Sequence, residues 1–232
     1  GMRVTGWIWI CLVFWCGPNM ATAGVVVTST LGTNSNAQGK IIGKTSSDTN
    51  GAGLVFTTGS SSSWHLNNIQ LMLYTGVNGG YSYSGGTVSF YLYQMGNGTI
   101  PTATNSLAYV GTTSVSLGTF KGISTKTFDL SGLSSLSAGT QYFLGINATG
   151  YVGNQNVPDD FLKISGTGST PTAANSSGWS VSTAYSYMLA NGSDSPTGTH
   201  NFSSSTTSVG YSYVPGTGLA GFGFILDATA VP

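Results

Sequence analysis

The chain has 232 residues, only 5% of them charged, and its 6 lysines and arginines balance its 6 acidic residues. An ordinary soluble domain has about a quarter of its residues charged, so serine, threonine, asparagine, glycine and tyrosine must cover this surface instead. No basic patch is present to neutralise phosphates, which argues against nucleic acid as a partner.

The first 23 residues predict a secretory signal peptide. Arg3 precedes an apolar run at residues 7–16, and this run is roughly half the length of a membrane-crossing helix. Gly17-Pro18 ends the run, and Ala21-Thr22-Ala23 offers the small residues that a signal peptidase accepts. Cleavage there predicts an exported mature domain, residues 24–232. Both cysteines would be lost with the leader, so the mature domain would have neither a disulfide nor a thiolate metal site.

Alternating apolar and polar residues predict an all-β fold. In chain order, the predicted strands are GVVVTST, GKIIG, GLVFTTG, NIQLMLYTG, TVSFYLYQM, LAYVGTTSVSLG, STKTFDL, TQYFLGINATG, DDFLKISG, AYSYMLA and GFGFILDATA. The clearest apolar sets are Ile69, Leu71 and Leu73; Val88, Phe90 and Leu92; Tyr142, Leu144 and Ile146; and Phe222, Phe224 and Leu226. No segment shows a helical period. We predict a single domain, a two-sheet antiparallel β-sandwich of jelly-roll type.

Glycine-containing turns separate several of these strands. Asn97-Gly98 is a hairpin signal, and Gly139-Thr140 predicts a tight turn that leads into the TQYFLGINATG strand. Residues 165–178, SGTGSTPTAANSSG, are predicted to form a long surface loop rather than a linker, because too few strands follow to build a second core.

The order of several motifs resembles that of a known family. An F-T-x-G segment begins at Phe56, and the apolar alternation of the next strand follows it. The motif L-x-x-L-x-x-G-T-x-Y-x-L then runs from Leu133 to Leu144. Over residues 56–226 the chain resembles choice-of-anchor R domains of exported bacterial surface proteins. The resemblance implies a C-terminal sorting tail that begins V-P-E-P and continues with a membrane helix and basic residues. We therefore expect the reading frame to continue beyond Val231-Pro232 into such a PEP-CTERM tail.

Residues suited to catalysis are sparse. Asp159 and Asp160 are adjacent, so a strand would point them to opposite faces, which does not suit a glycosidase pair. The two histidines, His65 and His200, accompany no G-x-S-x-G motif. We interpret His65 as a half-exposed strand residue, and we predict that the protein is not an enzyme.

One loop has the oxygen-bearing side chains that calcium prefers. The segment GNQNVPDDF contains Asn154, Asn156, Asp159 and Asp160. It lacks the alternating order of an EF-hand loop, and the same residues commonly cap turns. Calcium is therefore the one candidate ion, and no other cofactor is predicted.

Aromatic residues provide a second candidate site. Several tyrosines are spaced two apart, so they would share one face of a strand: Tyr81 and Tyr83, Tyr91 and Tyr93, Tyr185 and Tyr187, and Tyr211 and Tyr213. Together with Trp64 and Trp179 they could stack on sugar rings. The alternative is that they cover an outer sheet face and pack on each other.

These observations favour a secreted, non-enzymatic β-sandwich domain at the cell surface or in extracellular matrix, with an adhesive or structural role. Its expected partners are extracellular polysaccharide or other surface proteins. One alternative is a carbohydrate-binding module that uses the surface tyrosines and tryptophans. A second is a self-assembling coat subunit, because low charge leaves edge strands free to pair.

Overall fold

The structure, a computed structural model, describes residues 23–28, 31, 40–42, 51–75, 82–96, 107–149, 162–164, 172–173, 178–183 and 222–231. All regular secondary structure in these residues is β-strand. The strands are β1 (Ala23–Thr28), β2 (Lys40–Ile41), β3 (Gly51–Thr57), β4 (Ser63–Thr75), β5 (Ser82–Met95), β6 (Leu107–Lys121), β7 (Ile123–Asp129), β8 (Gln141–Thr149), β9 (Leu162–Ile164), β10 (Thr172–Ala173), β11 (Ser180–Thr183) and β12 (Phe224–Val231). The all-β prediction is confirmed.

The strands form two antiparallel sheets. The five-stranded sheet has the order β11-β3-β8-β5-β6. In the seven-stranded sheet, Leu71 of β4 pairs with both β12 and β7, and Leu73 pairs with both β9 and β7. Because a strand has only two edges, β12 and β9 must follow each other along one edge of β4 while β7 occupies the other. β1 and β10 extend this sheet beyond β12, and β2 extends it beyond β9.

The eight longer strands pair in a nested manner. β1 pairs with β12, β3 with β8, β4 with β7, and β5 with β6. Two further pairings, β12 with β4 and β8 with β5, complete the four-strand sets β1-β12-β4-β7 and β3-β8-β5-β6. This is the connectivity of a long hairpin rolled into two layers, which defines a jelly roll. The predicted jelly-roll sandwich is confirmed.

The inner faces of the two sheets form one hydrophobic core. All four predicted apolar sets are buried in it, and the rings of Phe90 in one sheet and Phe128 in the other lie 5.3 Å apart. More residues are buried than the alternation predicts. Val55, Tyr93 and Phe143 point away from this core and are nevertheless fully buried.

The chain crosses from the five-stranded to the seven-stranded sheet at Gly122. Its φ of 93° lies in the left-handed region that favours glycine. The amide of Gly122 donates to Thr75 Oγ1 at 3.0 Å, and the amide of Thr75 donates to Gly122 O at 3.1 Å. These bonds attach the crossing to the end of β4.

A loop at one end of the sandwich is hydrogen-bonded to both sheets. We call residues 130–140 the capping loop. Its Leu136 exchanges two backbone hydrogen bonds with Trp64 of β4, at 2.7 and 2.9 Å, while its Gly139 donates to Gly59 O, just after β3, at 3.1 Å. Leu133 and Leu136 are buried in the core, and Gly139 has φ 58°. The predicted turn at Gly139-Thr140 is therefore confirmed.

The Thr58 side chain is hydrogen-bonded to the capping loop. Its hydroxyl is buried, donates to Ser137 O at 2.7 Å and accepts from the Thr140 amide at 2.9 Å. One side chain thus satisfies a carbonyl and an amide of the loop.

Replacing Thr58 with valine should lower the free energy of unfolding by about 1–3 kcal/mol. Valine keeps the shape but leaves the Ser137 carbonyl and the Thr140 amide without this partner. Urea unfolding measures the loss, and Thr57→Val, at the half-buried neighbouring position, is the matched control. Equal losses in the two variants would contradict the assigned role of Thr58.

Candidate functional site

The two sheets differ in charge. The described strands of the five-stranded sheet contain a single charged residue, Lys121, at the last position of β6. The described strands of the seven-stranded sheet contain five: Lys40, Lys126, Asp129, Lys163 and Asp227. The outer face of the five-stranded sheet is therefore a neutral surface, and we call it the neutral face.

Strand register arranges the residues of the neutral face in three lateral rows. A polar row holds Gly51, Asn147, Ser89 and Ser114; a glycine row holds Gly53, Gly145, Tyr91 and Thr112; and an aromatic row holds Val55, Phe143, Tyr93 and Tyr109. Residues that pair across antiparallel strands point to the same face and interact there. Each row therefore forms a continuous strip across four strands.

The aromatic row is a packed set of rings. Tyr93 and Phe143 are fully buried, with ring centroids 6.2 Å apart and planes inclined by 25°. Tyr109 meets Tyr93 edge-on at 5.8 Å and is only half-buried. Tyr93 thus packs on other aromatic residues, and Tyr109 is the ring of this row that keeps an accessible surface.

The glycine row depends on one close contact. A Cβ added at Gly53 would overlap the ring of Phe143 and lie 3.0 Å from Leu144 O. The Phe143 ring therefore lies directly over Gly53. Tyr91 pairs with Gly145 in the same row and remains half-buried, so it is the second tyrosine with an accessible surface.

Gly53→Ala should lower the free energy of unfolding by about 1–3 kcal/mol, because the methyl group must displace the Phe143 ring or the β8 backbone. Gly24→Ala is the matched control, because a Cβ added there meets no atom of the described residues within 4 Å, apart from Gly24 and its two chain neighbours. Thermal unfolding of the two variants should show a large shift for the first and almost none for the second. A tolerated Gly53→Ala would show that Phe143 does not cover this position.

The polar row combines hydroxyls with a buried amide. Ser89 Oγ and Ser114 Oγ lie 2.9 Å apart. Asn147 is 5% exposed, and its Oδ1 finds no hydrogen-bond partner among the residues that the structure describes. Although Asn147 begins an N-x-T sequence, its side chain is not accessible for glycosylation in this fold.

Both tryptophans predicted to bind sugar lie in the core instead. Trp64 and Trp179 are 6% and 4% exposed, respectively. Their rings meet edge-on at 5.3 Å, Trp179 stacks on Phe56 at 5.2 Å, and Trp64 Nε1 donates to Gly59 O at 2.9 Å. Neither ring has a free face for a sugar, so the platform predicted at these two residues is corrected.

The reason for the inward position of Trp64 is a β-bulge. Asp227 of β12 pairs with Asn68, whereas the next residue, Ala228, pairs with Leu66. Asn67 is the extra residue, and it reverses the alternation. Counting back in twos from Ile69 would place Trp64 outside, and only the bulge turns it inward.

Several other predicted site residues have no described side chain. Tyr83 lies in β5 opposite Phe120, but only its backbone is described. Tyr81 and the four candidate calcium ligands, Asn154, Asn156, Asp159 and Asp160, lie outside the described residues. The calcium site and this part of the tyrosine platform stay predictions.

The structure also brings together polar residues that the sequence did not connect. Asp129, Asn68 and Asp227 form one lateral row on the outer face of the seven-stranded sheet. The two aspartates are separated by two strand spacings, about 10 Å between Cα atoms. Asn67 Nδ2 donates to Asp227 Oδ1, and to Thr229 Oγ1 at 2.9 Å. Among the described residues, no three His, Cys, Asp or Glu side chains are grouped so as to hold a metal ion.

The pKa of Asp129 is held below its ordinary value of 3.8, chiefly because Ser131 donates to its carboxylate through its hydroxyl, and also through its amide at 2.8 Å. A carboxyl group with a lowered folded-state pKa contributes stability above its unfolded pKa and loses it as the pH falls through the folded value. Asp129 therefore favours folding at neutral pH and ceases to do so in strong acid.

Ser131→Ala should raise the pKa of the Asp129 carboxyl group toward 3.8, because the hydroxyl donor is lost while the amide donor remains. An NMR titration of the side-chain carboxyl carbon measures this change. Ser134→Ala, at another exposed position of the capping loop, is the control and should leave the pKa unchanged. An unaltered pKa in Ser131→Ala would show that the hydroxyl bond is not the main cause.

Within the described ranges, no helix has the length and apolar character needed to cross a membrane. Comparison of the chain with protein-family models, with curated proteins and with solved structures gave no match in any of the three. The candidate site consequently rests on its own geometry.

Proposed function

We propose that the protein is an exported, non-enzymatic β-sandwich domain with an adhesive or structural role at the cell surface or in extracellular matrix. The observation that carries this proposal is the neutral face, whose strands contain one charged residue, at the end of β6. Hydroxyl groups and tyrosine rings on a rigid sheet suit a neutral partner better than a charged one. Extracellular polysaccharide and other surface proteins are partners of this kind.

The position of β1 is compatible with the proposed export. The predicted signal peptide ends at Ala23, and Gly24 pairs with Ala228 of β12. Cleavage after Ala23 would leave residues 24–28 to pair with β12 in the observed register. The predicted cleavage site thus lies at the start of β1, where Ala23 itself pairs with Thr229.

The resemblance to choice-of-anchor R domains remains part of the proposal. Its longest motif, from Leu133 to Leu144, coincides with the capping loop and the start of β8. Leu133, Leu136, Tyr142 and Leu144 are buried there. The motif residues therefore serve packing, which is compatible with a structural domain.

Assays of hydrolysis test the non-enzymatic part of the proposal. The purified protein should not cleave polysaccharide, peptide or ester substrates, and Asp129→Asn and Asp227→Asn should change nothing. These two aspartates are the ones to replace because they share one face of the seven-stranded sheet. Hydrolysis that is lost in either variant, while folding is retained, would overturn the proposal.

A second candidate is a carbohydrate-binding module, favoured by the half-buried rings of Tyr91 and Tyr109 on the neutral face. A sugar ring stacks on an aromatic face and bonds to neighbouring hydroxyls, and Thr112 lies directly opposite Tyr91. This version of the platform replaces Trp64, Trp179 and Tyr93, which are buried.

Affinity electrophoresis in gels that contain neutral polysaccharides tests this second candidate. If the protein is retarded, Tyr91→Ala and Tyr109→Ala should each weaken binding about three- to tenfold through loss of ring contact. Thr125→Ala, at an exposed position of β7 on the other sheet, should have no effect. No retardation by any neutral polysaccharide would reject the sugar platform and leave the adhesive or structural role.

A further inference from the structure

β6 is a long strand at the edge of the five-stranded sheet. It spans 15 residues, Leu107–Lys121, and among the described residues it pairs with β5 and with no other strand. Within the described part of the chain, no strand covers the outer edge of β6, so its backbone N–H and C=O groups there can pair with another strand. Such an edge is a template for pairing between chains.

The other described edge strands carry the features that prevent such pairing. β2 and β10 have 2 residues each, and β11 has 4. β7 has 7 residues and carries Lys126 and Asp129. Short length and charge are the usual protection of sheet edges. β6 lacks both kinds of protection. It spans 15 residues, contains no proline, and has a single charge, Lys121, at its last position.

The middle of β6 is regular and accessible. The register with β5 shifts between Tyr109 and Gly111 and again between Ser116 and Gly118, and it is continuous over residues 111–116. In this segment Thr112, Ser114 and Ser116 are exposed on the neutral face. On the inner side, Val115 packs against the core and is only partly buried. A strand added here would cover part of that apolar surface.

We propose that β6 pairs antiparallel with β6 of a second copy of this chain. The inner residues of both copies remain inside only if each residue faces one from the same side of the sheet. The two-fold axis must therefore pass midway between one residue and the same residue of the second copy. The capping loop approaches β6 near Gly111 and Thr113, and we therefore place the axis at Ser114. Thr112 then faces Ser116 of the second copy, and Thr113 faces Val115.

This pairing joins two five-stranded sheets into one continuous sheet and ends at a dimer. Both copies use the same edge, so the contact is closed by its own symmetry. The other strands that end the described sheets, β2, β7, β10 and β11, are short or charged and do not extend the assembly. The inference goes beyond the proposed function and does not require that the protein be exported.

The expected dimer is weak. About five residues from each copy pair, and an interface of that size belongs to the transient class, with Kd in the micromolar to millimolar range. The dimer should therefore form reversibly as the concentration rises, and its formation should depend on the side chains that face each other.

Sedimentation equilibrium of the purified protein from about 10 µM to about 1 mM tests the proposal. The Thr112→Lys/Ser116→Lys variant places lysines opposite each other in both symmetry-related pairs, and like charges directly opposite destabilise a strand pair. The Kd should rise about tenfold or more, and high salt should partly restore association. Thr125→Lys/Thr127→Lys, at exposed positions of β7, adds the same charge at another edge and should leave Kd unchanged. The predicted signal peptide is present in the unchanged protein and in both variants, so it does not explain a difference in Kd between them.

Circular dichroism and thermal unfolding establish that each variant is folded. If the double β6 variant is not folded, Ser116→Lys alone is measured in its place. A protein that is monomeric throughout the concentration series would overturn the proposal, as would equal weakening by the β6 and β7 variants. Growth beyond a dimer would overturn the closed pairing and favour an open coat assembly.

Discussion

The hydrogen bonds between the capping loop and both sheets hold one end of the sandwich together. Leu136 binds the backbone of Trp64 in the seven-stranded sheet, and Thr58, at the end of β3, holds the other end of the loop through its hydroxyl. Because Leu136, Trp64 and Thr58 are buried, losing one of these hydrogen bonds costs about 1–3 kcal/mol. The same contacts fix the spacing of the sheets where Trp64 meets Trp179 edge-on.

Nested pairing makes the fold cooperative but slow to form. β1 pairs with β12, so strands from the two ends of the described chain are adjacent, and β12 lies between β1 and β4. Contacts between residues distant in sequence require loops to close before they stabilise the fold, and folds of this kind form in milliseconds to seconds.

Local patterns predicted the layers of this protein well. Alternation identified the inward residues of β4, β5, β8 and β12, and the pair Gly139-Thr140 identified the turn before β8. Local patterns did not predict side-chain positions that depend on contacts between residues distant in the sequence. The bulge at Asn67 exists because of pairing with β12, and it turns Trp64 inward. Tyr93 is buried beside Phe143, whose strand is adjacent in the sheet but distant in the sequence. The row of Asp129, Asn68 and Asp227 depends on register between three strands, which sequence spacing does not contain.

The most direct test of this account is hydrogen exchange at the amides of Leu136 and Thr140. Both lie in a loop, and loop amides ordinarily exchange at low opening free energies. If the capping loop joins the two sheets into one cooperative unit, these amides should exchange with an opening free energy close to that of the central strands β4 and β8. Exchange as fast as that of the β6 amides that point away from β5 would contradict the account, because the loop would then open while the two sheets stay folded.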